Sequence, residues 1–182
     1  MADRTDPSAQ DAAMSLAAPF FDPASELGRL SRVEVEELTP DYETLLAHTG
    51  HMTVTLEAWH ESLVDVHVAG QRTDALCYTR HSILTRQSDG RPVQSGVMRV
   101  ALASLPPDVW QRIEDGNCPL GRILIRGNVL REVELLSLWR IEAGPKLARE
   151  LEIAENDVIY GRSARILVEG RPAVELLEIV KP

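Results

Sequence analysis

The chain reads as an α+β domain: a single six-stranded antiparallel sheet made of three hairpins, with helices packed mainly on one face. Three observations predict it. Pairs of β-patterned segments are joined by short turns, a helical period returns only in the connections, and the strands near the end are apolar on both faces. The last point requires that something cover the second face, or that it line a cavity. With 182 residues, 44% of them hydrophobic and 26% charged, the chain can bury a core without disulfide staples.

Residues 1–24 are rich in Ala, Asp, Ser and Pro without periodicity. They are expected to be a mobile tail, with Phe20 and Phe21 docking on a body of residues 25–182. Thr39–Pro40 forms an N-cap and N1 pair opening a helix through Asp41–His48, with Tyr42, Leu45 and Leu46 on one side. Met52–Trp59 and Leu63–Val68 alternate or run β-branched around His60–Glu61–Ser62, which predicts the first hairpin. Leu76–Gln87 and Pro92–Leu102 flank Ser88–Asp89–Gly90–Arg91, where Asp-Gly is a strong hairpin signal. Pro107 then opens a helix over Asp108–Glu114 that Gly116 is placed to close. Pro119 opens another short turn or helix, and Lys146–Glu150 after Gly144–Pro145 is a third. Ile159–Val168 and Pro172–Val180 around Glu169–Gly170–Arg171 make the last hairpin.

Net charge is −9, which argues against a nucleic-acid surface and obliges any anionic ligand to find locally placed arginines. No run approaches the apolar length of a membrane-spanning helix, and no basic segment precedes the apolar patch near the start. Cys77 and Cys118 show no framework or CxxC spacing, as expected of reduced thiols in the cytoplasm. His48, His51, His60, His67 and His81 lack metal-ligand spacing, so no metal is expected. GxSxG, P-loop and GxGxxG motifs are all missing, and no cofactor is expected.

Two residues invite chemistry. Glu178 shares an alternate row with Val174, Leu176 and Val180. Burial there would raise a carboxyl pKa and make it a general acid or base, whereas a frayed strand end would leave it in water. Glu175, on the other row with Leu177 and Ile179, is its rival. Arg80 stands in a row with Tyr78, Ser82 and Leu84, and a guanidinium among apolar neighbours wants a carboxylate from Glu or from a ligand. The alternative is a solvated face shared with Arg86. Arg99, Arg162 and Arg165 are further cations in the sheet, most of them expected at the surface.

Four stretches taken in order resemble the bacterial chorismate pyruvate-lyases over roughly residues 42–182. They are HMTVTLEAWHESLVDVHV, YTRHSILTRQSDGRPVQSGVMRVAL, PLGRILI and YGRSARILVEGRPAVELLEIVKP. The resemblance implies one six-stranded sheet with helices as flaps over an internal, water-excluding site. It implies a carbon–oxygen lyase that eliminates pyruvate from chorismate to give 4-hydroxybenzoate, without metal or redox cofactor, acting as a monomer on a small dicarboxylate. By position, Met52 would touch the ligand from the first flap and Arg80 would grip a carboxylate. Leu120 would present its backbone, with Pro119 and Gly121 shaping the turn. Glu178 would be the catalytic carboxyl. This chain departs from the pattern in three places. One residue is extra between Gly170 and Glu178, and the Tyr78–Thr79 pair replaces a tryptophan. Val97 stands where an arginine follows the glycine equivalent to Gly96, so Arg99, two residues on, is the candidate second anion contact. Two alternatives follow: an enzyme of this fold retuned to another small carboxylate, or a non-catalytic effector-sensing domain like those of some bacterial regulators.

Overall fold

A computed structural model describes residues 7–116, 118–126 and 131–182. The sheet has seven antiparallel strands. In chain order they are β1 (Gly28–Val33), β2 (Val64–Thr73), β3 (Cys77–Arg86), β4 (Pro92–Ala101), β5 (Arg131–Ala143), β6 (Val158–Val168) and β7 (Arg171–Val180). Across the sheet the order is β1-β5-β6-β7-β4-β3-β2. Six α-helices are described: α1 (Pro7–Ala17), α2 (Pro40–Leu46), α3 (Met52–Trp59), α4 (Pro107–Glu114), α5 (Leu120–Arg126) and α6 (Pro145–Leu151).

The two later hairpins form as the turn chemistry dictates. Glu169 and Gly170 take φ of 52° and 76° between β6 and β7, and Gly90 takes 75° between β3 and β4. The first expected hairpin does not form. Met52–Trp59 is the helix α3, because its buried residues Met52, Thr53 and Leu56 follow a helical spacing while β-branched Val54 points to solvent. The hairpin partner of β3 on that side is β2, which starts only at Val64.

The expected count of six strands is therefore corrected twice over. One presumed strand is a helix, and β1 and β5 were not foreseen. β5 reads Arg-Glu-Val-Glu-Leu-Leu-Ser-Leu-Trp-Arg-Ile-Glu-Ala, rich in good helix formers. It is a strand because pairing on both sides, with β1 and with β6, outweighs local preference.

Helices cover both faces of the sheet rather than mainly one. On one face α1 and α6 bury Leu16, Ala17, Leu147 and Leu151 against Val97, Trp139, Leu177 and Ile179. Pro7–Ala17, expected within a tail, is thus a packed helix, and Phe21 docks as anticipated with 2% of its surface exposed. On the other face α4 and α5 pack on Met98, Val100, Val174 and Leu176, and α2 and α3 pack on Leu84, Leu138 and Val180. Burying each such side chain contributes roughly 1.5–3 kcal/mol, so both layers are strongly held. Among the described residues no helix is long and apolar enough to cross a membrane.

Candidate functional site

Strand register builds the floor of an internal cavity on the α3/α5 face. Arg80 lies opposite Met98, Met98 opposite Leu176, and Leu176 opposite Ala164. Two residues along, a second row runs Ser82, Gly96, Glu178, Arg162. Side chains alternate across a sheet, so both rows point the same way. The roof is Met52 at the start of α3 and Leu120 and Gly121 at the start of α5.

Met52, Arg80, Leu120, Gly121 and Glu178, singled out from sequence, therefore meet around one cavity. The extra residue before Glu178 is absorbed by a bulge: Leu167 pairs with Pro172 and Ile166 with Val174, leaving Ala173 unopposed. That bulge sets the phase of β7 and decides between the two carboxylates. Glu178 faces the cavity. Glu175 lies on the opposite face, ion-paired to Arg99.

Arg99 accordingly corrects an expectation. It sits on the side of the sheet away from the cavity, half-exposed, and its guanidinium binds Glu175. Strand parity puts residues 97 and 99 together on that face. Val97 there joins the core under α1 and α6, and no second anion contact arises from either position.

Arg162 also differs from its expected surface place. It is 1% exposed, and its Nε donates to Glu178 Oε2 at 2.7 Å. Its Nη1 and Nη2 donate to the carbonyls of His48 and Gly50 at 2.7 and 3.2 Å. Glu178 thus belongs to a satisfied ion pair that ties β6 and β7 to the loop before α3. The signal for this was the turn at Glu169–Gly170. Counting outward from it pairs 162 with 178, but only once the bulge is allowed.

Arg80 is the opposite case. It is 2% exposed and donates from Nη1 to the carbonyl of Ile113 at 3.3 Å, while its Nε has no partner. The Tyr78 hydroxyl lies beside it. Among the described residues no carboxylate pairs with it. Burial pushes the guanidinium pKa down, with Tyr78 opposing, yet arginine begins so far above neutrality that it stays cationic. Gln94 and Ser82 also line the cavity, and the carbonyl oxygen of the Gln94 side chain is buried without a hydrogen bond. Gly96 stands between them in the floor, where a Cβ would come within 2.7 Å of Gln94 Nε2.

The roof is closed by a latch. Arg122, the cation of the Pro-Leu-Gly-Arg run, ion-pairs with Glu57 of α3 rather than reaching the cavity, and Glu57 also accepts the Val64 N–H at 3.2 Å. A Cβ on Gly121 would lie 3.2 Å from Thr53 Oγ1 and 3.4 Å from His51 Cβ, so glycine lets α5 approach α3 closely. The histidines of the loop before α3 have lowered pKa values. Burial first, and then the neighbouring Arg162, lowers the His48 pKa. His48 Nε2 donates to the Leu45 carbonyl at 2.9 Å and its Nδ1 accepts the Gly50 N–H at 3.0 Å. Burial and Arg131 lower that of His51, whose Nε2 accepts from Arg131 at 2.6 Å.

The cavity measures about 60 Å³. Small-molecule sites usually span about 300–1,000 Å³, so the cavity is tight with α3 and α5 where they stand.

Solved structures share this fold. The chain is similar to the effector domain of PhnF from Mycobacterium smegmatis, with a TM-score of 0.53 and 10% identity over 72% of this chain and 88% of that one. It is similar to PhnF from the same organism, with a TM-score of 0.52 and 9% identity over 74% and 64%. A GntR-family transcriptional regulator from Bacillus cereus matches with a TM-score of 0.45 and 12% identity over 65% and 92%. No protein-family sequence profile matches the chain, and no curated protein matches it in sequence. The carbon–oxygen lyase expectation is corrected by these likenesses: the two structures that match above a TM-score of 0.5 are an effector domain and the PhnF protein that carries it, and neither is named as a lyase. At such identities the two likenesses above 0.5 establish the fold, and the ligand must be argued from the site.

Proposed function

We propose that the chain is a non-catalytic binding domain that senses a small carboxylate. One observation carries this: Arg80 presents a buried guanidinium to an internal cavity, and among the described residues no carboxylate neutralises it. A desolvated cation without a counter-charge is costly, and a ligand carboxylate accepting from Nε would remove that cost. Glu178 is already committed to Arg162, which suits a structural tie better than a proton shuttle. The likeness to the PhnF effector domain supports the same reading.

Sensing follows from the geometry. A ligand held by Arg80 sits under Met52 and Leu120, so its arrival must displace or lock α3 and α5, which the Glu57–Arg122 latch joins. Occupancy is thereby written into the position of two helices on the molecular surface.

A thermal-shift screen of small carboxylates tests the proposal. A true ligand at a hundred times its Kd stabilises by about 2.7 kcal/mol, which for a domain of this size raises Tm by roughly 5–10 °C. The compound should be recovered unchanged after prolonged incubation. Conversion of the bound compound, or a shift that persists in Arg80→Gln, would sink the reading.

A further inference from the structure

The two edges of the sheet are not alike. We propose that the β2 edge pairs with a second copy of this chain, antiparallel about a two-fold axis through Val68, to form one continuous sheet. This pairing is independent of what the cavity binds.

An edge strand leaves backbone N–H and C=O groups unpaired, and edges that stay single are guarded by short length, like charges or cover. β1 is guarded in that way: it has six residues, and its charges are Arg29 and Arg32. β2 has ten residues, seven of them exposed. A groove of about 460 Å³ lies beside it, bordered by Val66, Val68 and Gln71 and by Glu114, Asp115 and Gly116 at the end of α4.

A two-fold axis restricts the register. When it stands perpendicular to an antiparallel pair, one residue faces its own copy, and residues equally far on either side face each other. Against β3, Val68 pairs with Ser82 and Gly70 with His81, so a bulge takes Ala69 out of the count. With the axis at Val68, Val66 then opposes Gln71 of the second copy, and Asp65 opposes its Arg72. The bulge is what permits this. Seven positions apart, Asp65 and Arg72 would otherwise lie on opposite faces, whereas their β3 partners Thr85 and Thr79 put them on the same one. Two Asp–Arg pairs result, one on each side of the axis.

The same register covers exposed apolar surface. Leu63 precedes β2 and is 56% exposed, and Leu76 follows it at 76%. Antiparallel pairing brings Leu63 of one copy to the end where Leu76 of the other stands, while Val68 meets its own copy. Glu114 and Asp115 flank the axis on the α4 face and repel their copies, so the dimer is expected to be weak and concentration-dependent.

Sedimentation velocity on the full chain, from micromolar to millimolar concentration, should show reversible monomer–dimer exchange. Directly opposed Cα atoms in a sheet lie about 4.5–5.5 Å apart, within disulfide reach. In a Cys77→Ser, Cys118→Ser background, Val68→Cys should therefore cross-link to its own copy under mild oxidation, and Asp65→Cys should not. Asp65→Arg sets like charges against each other on both sides of the axis and should weaken the dimer about tenfold. Adding Arg72→Asp should restore it. A chain that stays monomeric throughout overturns the proposal. So does a dimer in which Val68→Cys fails to cross-link or Asp65→Cys cross-links as well, and so does a charge reversal without effect or without rescue.

Discussion

The two faces of the sheet bury polar groups in contrasting ways. Under α1 and α6, His81 is fully enclosed, and its Nε2 lies 3.1 Å from Ser95 Oγ and 3.2 Å from Glu150 Oε2. Ser95 donates to the same carboxylate at 3.1 Å. Phe21 packs against the imidazole with ring centroids 4.9 Å apart and planes tilted by 55°, and Lys146 donates to the Phe20 carbonyl at 2.7 Å. Among the described residues of this cluster, one buried side-chain polar atom, Nδ1 of His81, has no hydrogen bond. Under α3 and α5, one ion pair is equally complete, yet Arg80 Nε and the Gln94 carbonyl oxygen have no partner and surround a void. A network that closes on itself holds elements together. One left open beside a cavity is shaped for something that arrives later.

The contrast can be broken most severely at Arg162. Its replacement by alanine leaves Glu178 buried without a counter-charge, and urea unfolding should show a loss of about 3–5 kcal/mol. Replacing both partners by apolar residues, Arg162→Met with Glu178→Leu, should recover most of it. If the single change proves harmless, the pair is not the tie described here.

Arg80→Met should behave in the opposite sense. It removes a buried cation that has no counter-charge among the described residues, so the ligand-free domain should be as stable as the wild type or up to about 1–3 kcal/mol more so. Stability gained at the cost of ligand response is the signature of a binding residue. A loss comparable to that of Arg162→Ala would mean that Arg80 is satisfied within the fold.

The smallest expected effect is with pH. Folding lowers the pKa values of His48 and His51, so the unfolded chain binds more protons just below their ordinary value of about 6.5. Stability should therefore be full above that value and decline as pH falls through it. The decline should be shallower in His51→Gln, and melting curves between pH 5 and 8 would show it. A melting temperature that rises on acidification would contradict the assignment.

Much of the site was legible before the coordinates, because strand alternation is a local rule. Arg80 with Ser82, Leu176 with Glu178, and the turns at Gly90 and Gly170 all follow from sequence spacing. Arg162 was not legible as a partner of Glu178: the extra residue before Glu178 allowed a bulge, but only the paired strands place it at Ala173, where it shifts the register by one residue. Arg99 was misplaced because its row was assigned by analogy with a neighbouring arginine rather than by counting parity from Glu178. Gln94 drew no attention, since a polar residue in a strand is ordinary until its partners are counted.

What the amino-acid order settled was local: turn positions, helix openings at proline, and which residues of a strand share a face. Those depend on backbone sterics and on side chains a few positions apart. Which segments become strands at all in β1 and β5, and which buried arginine finds a carboxylate, were decided by the assembled sheet. Both depend on neighbours distant in the chain, and only the closed fold brings those neighbours within reach.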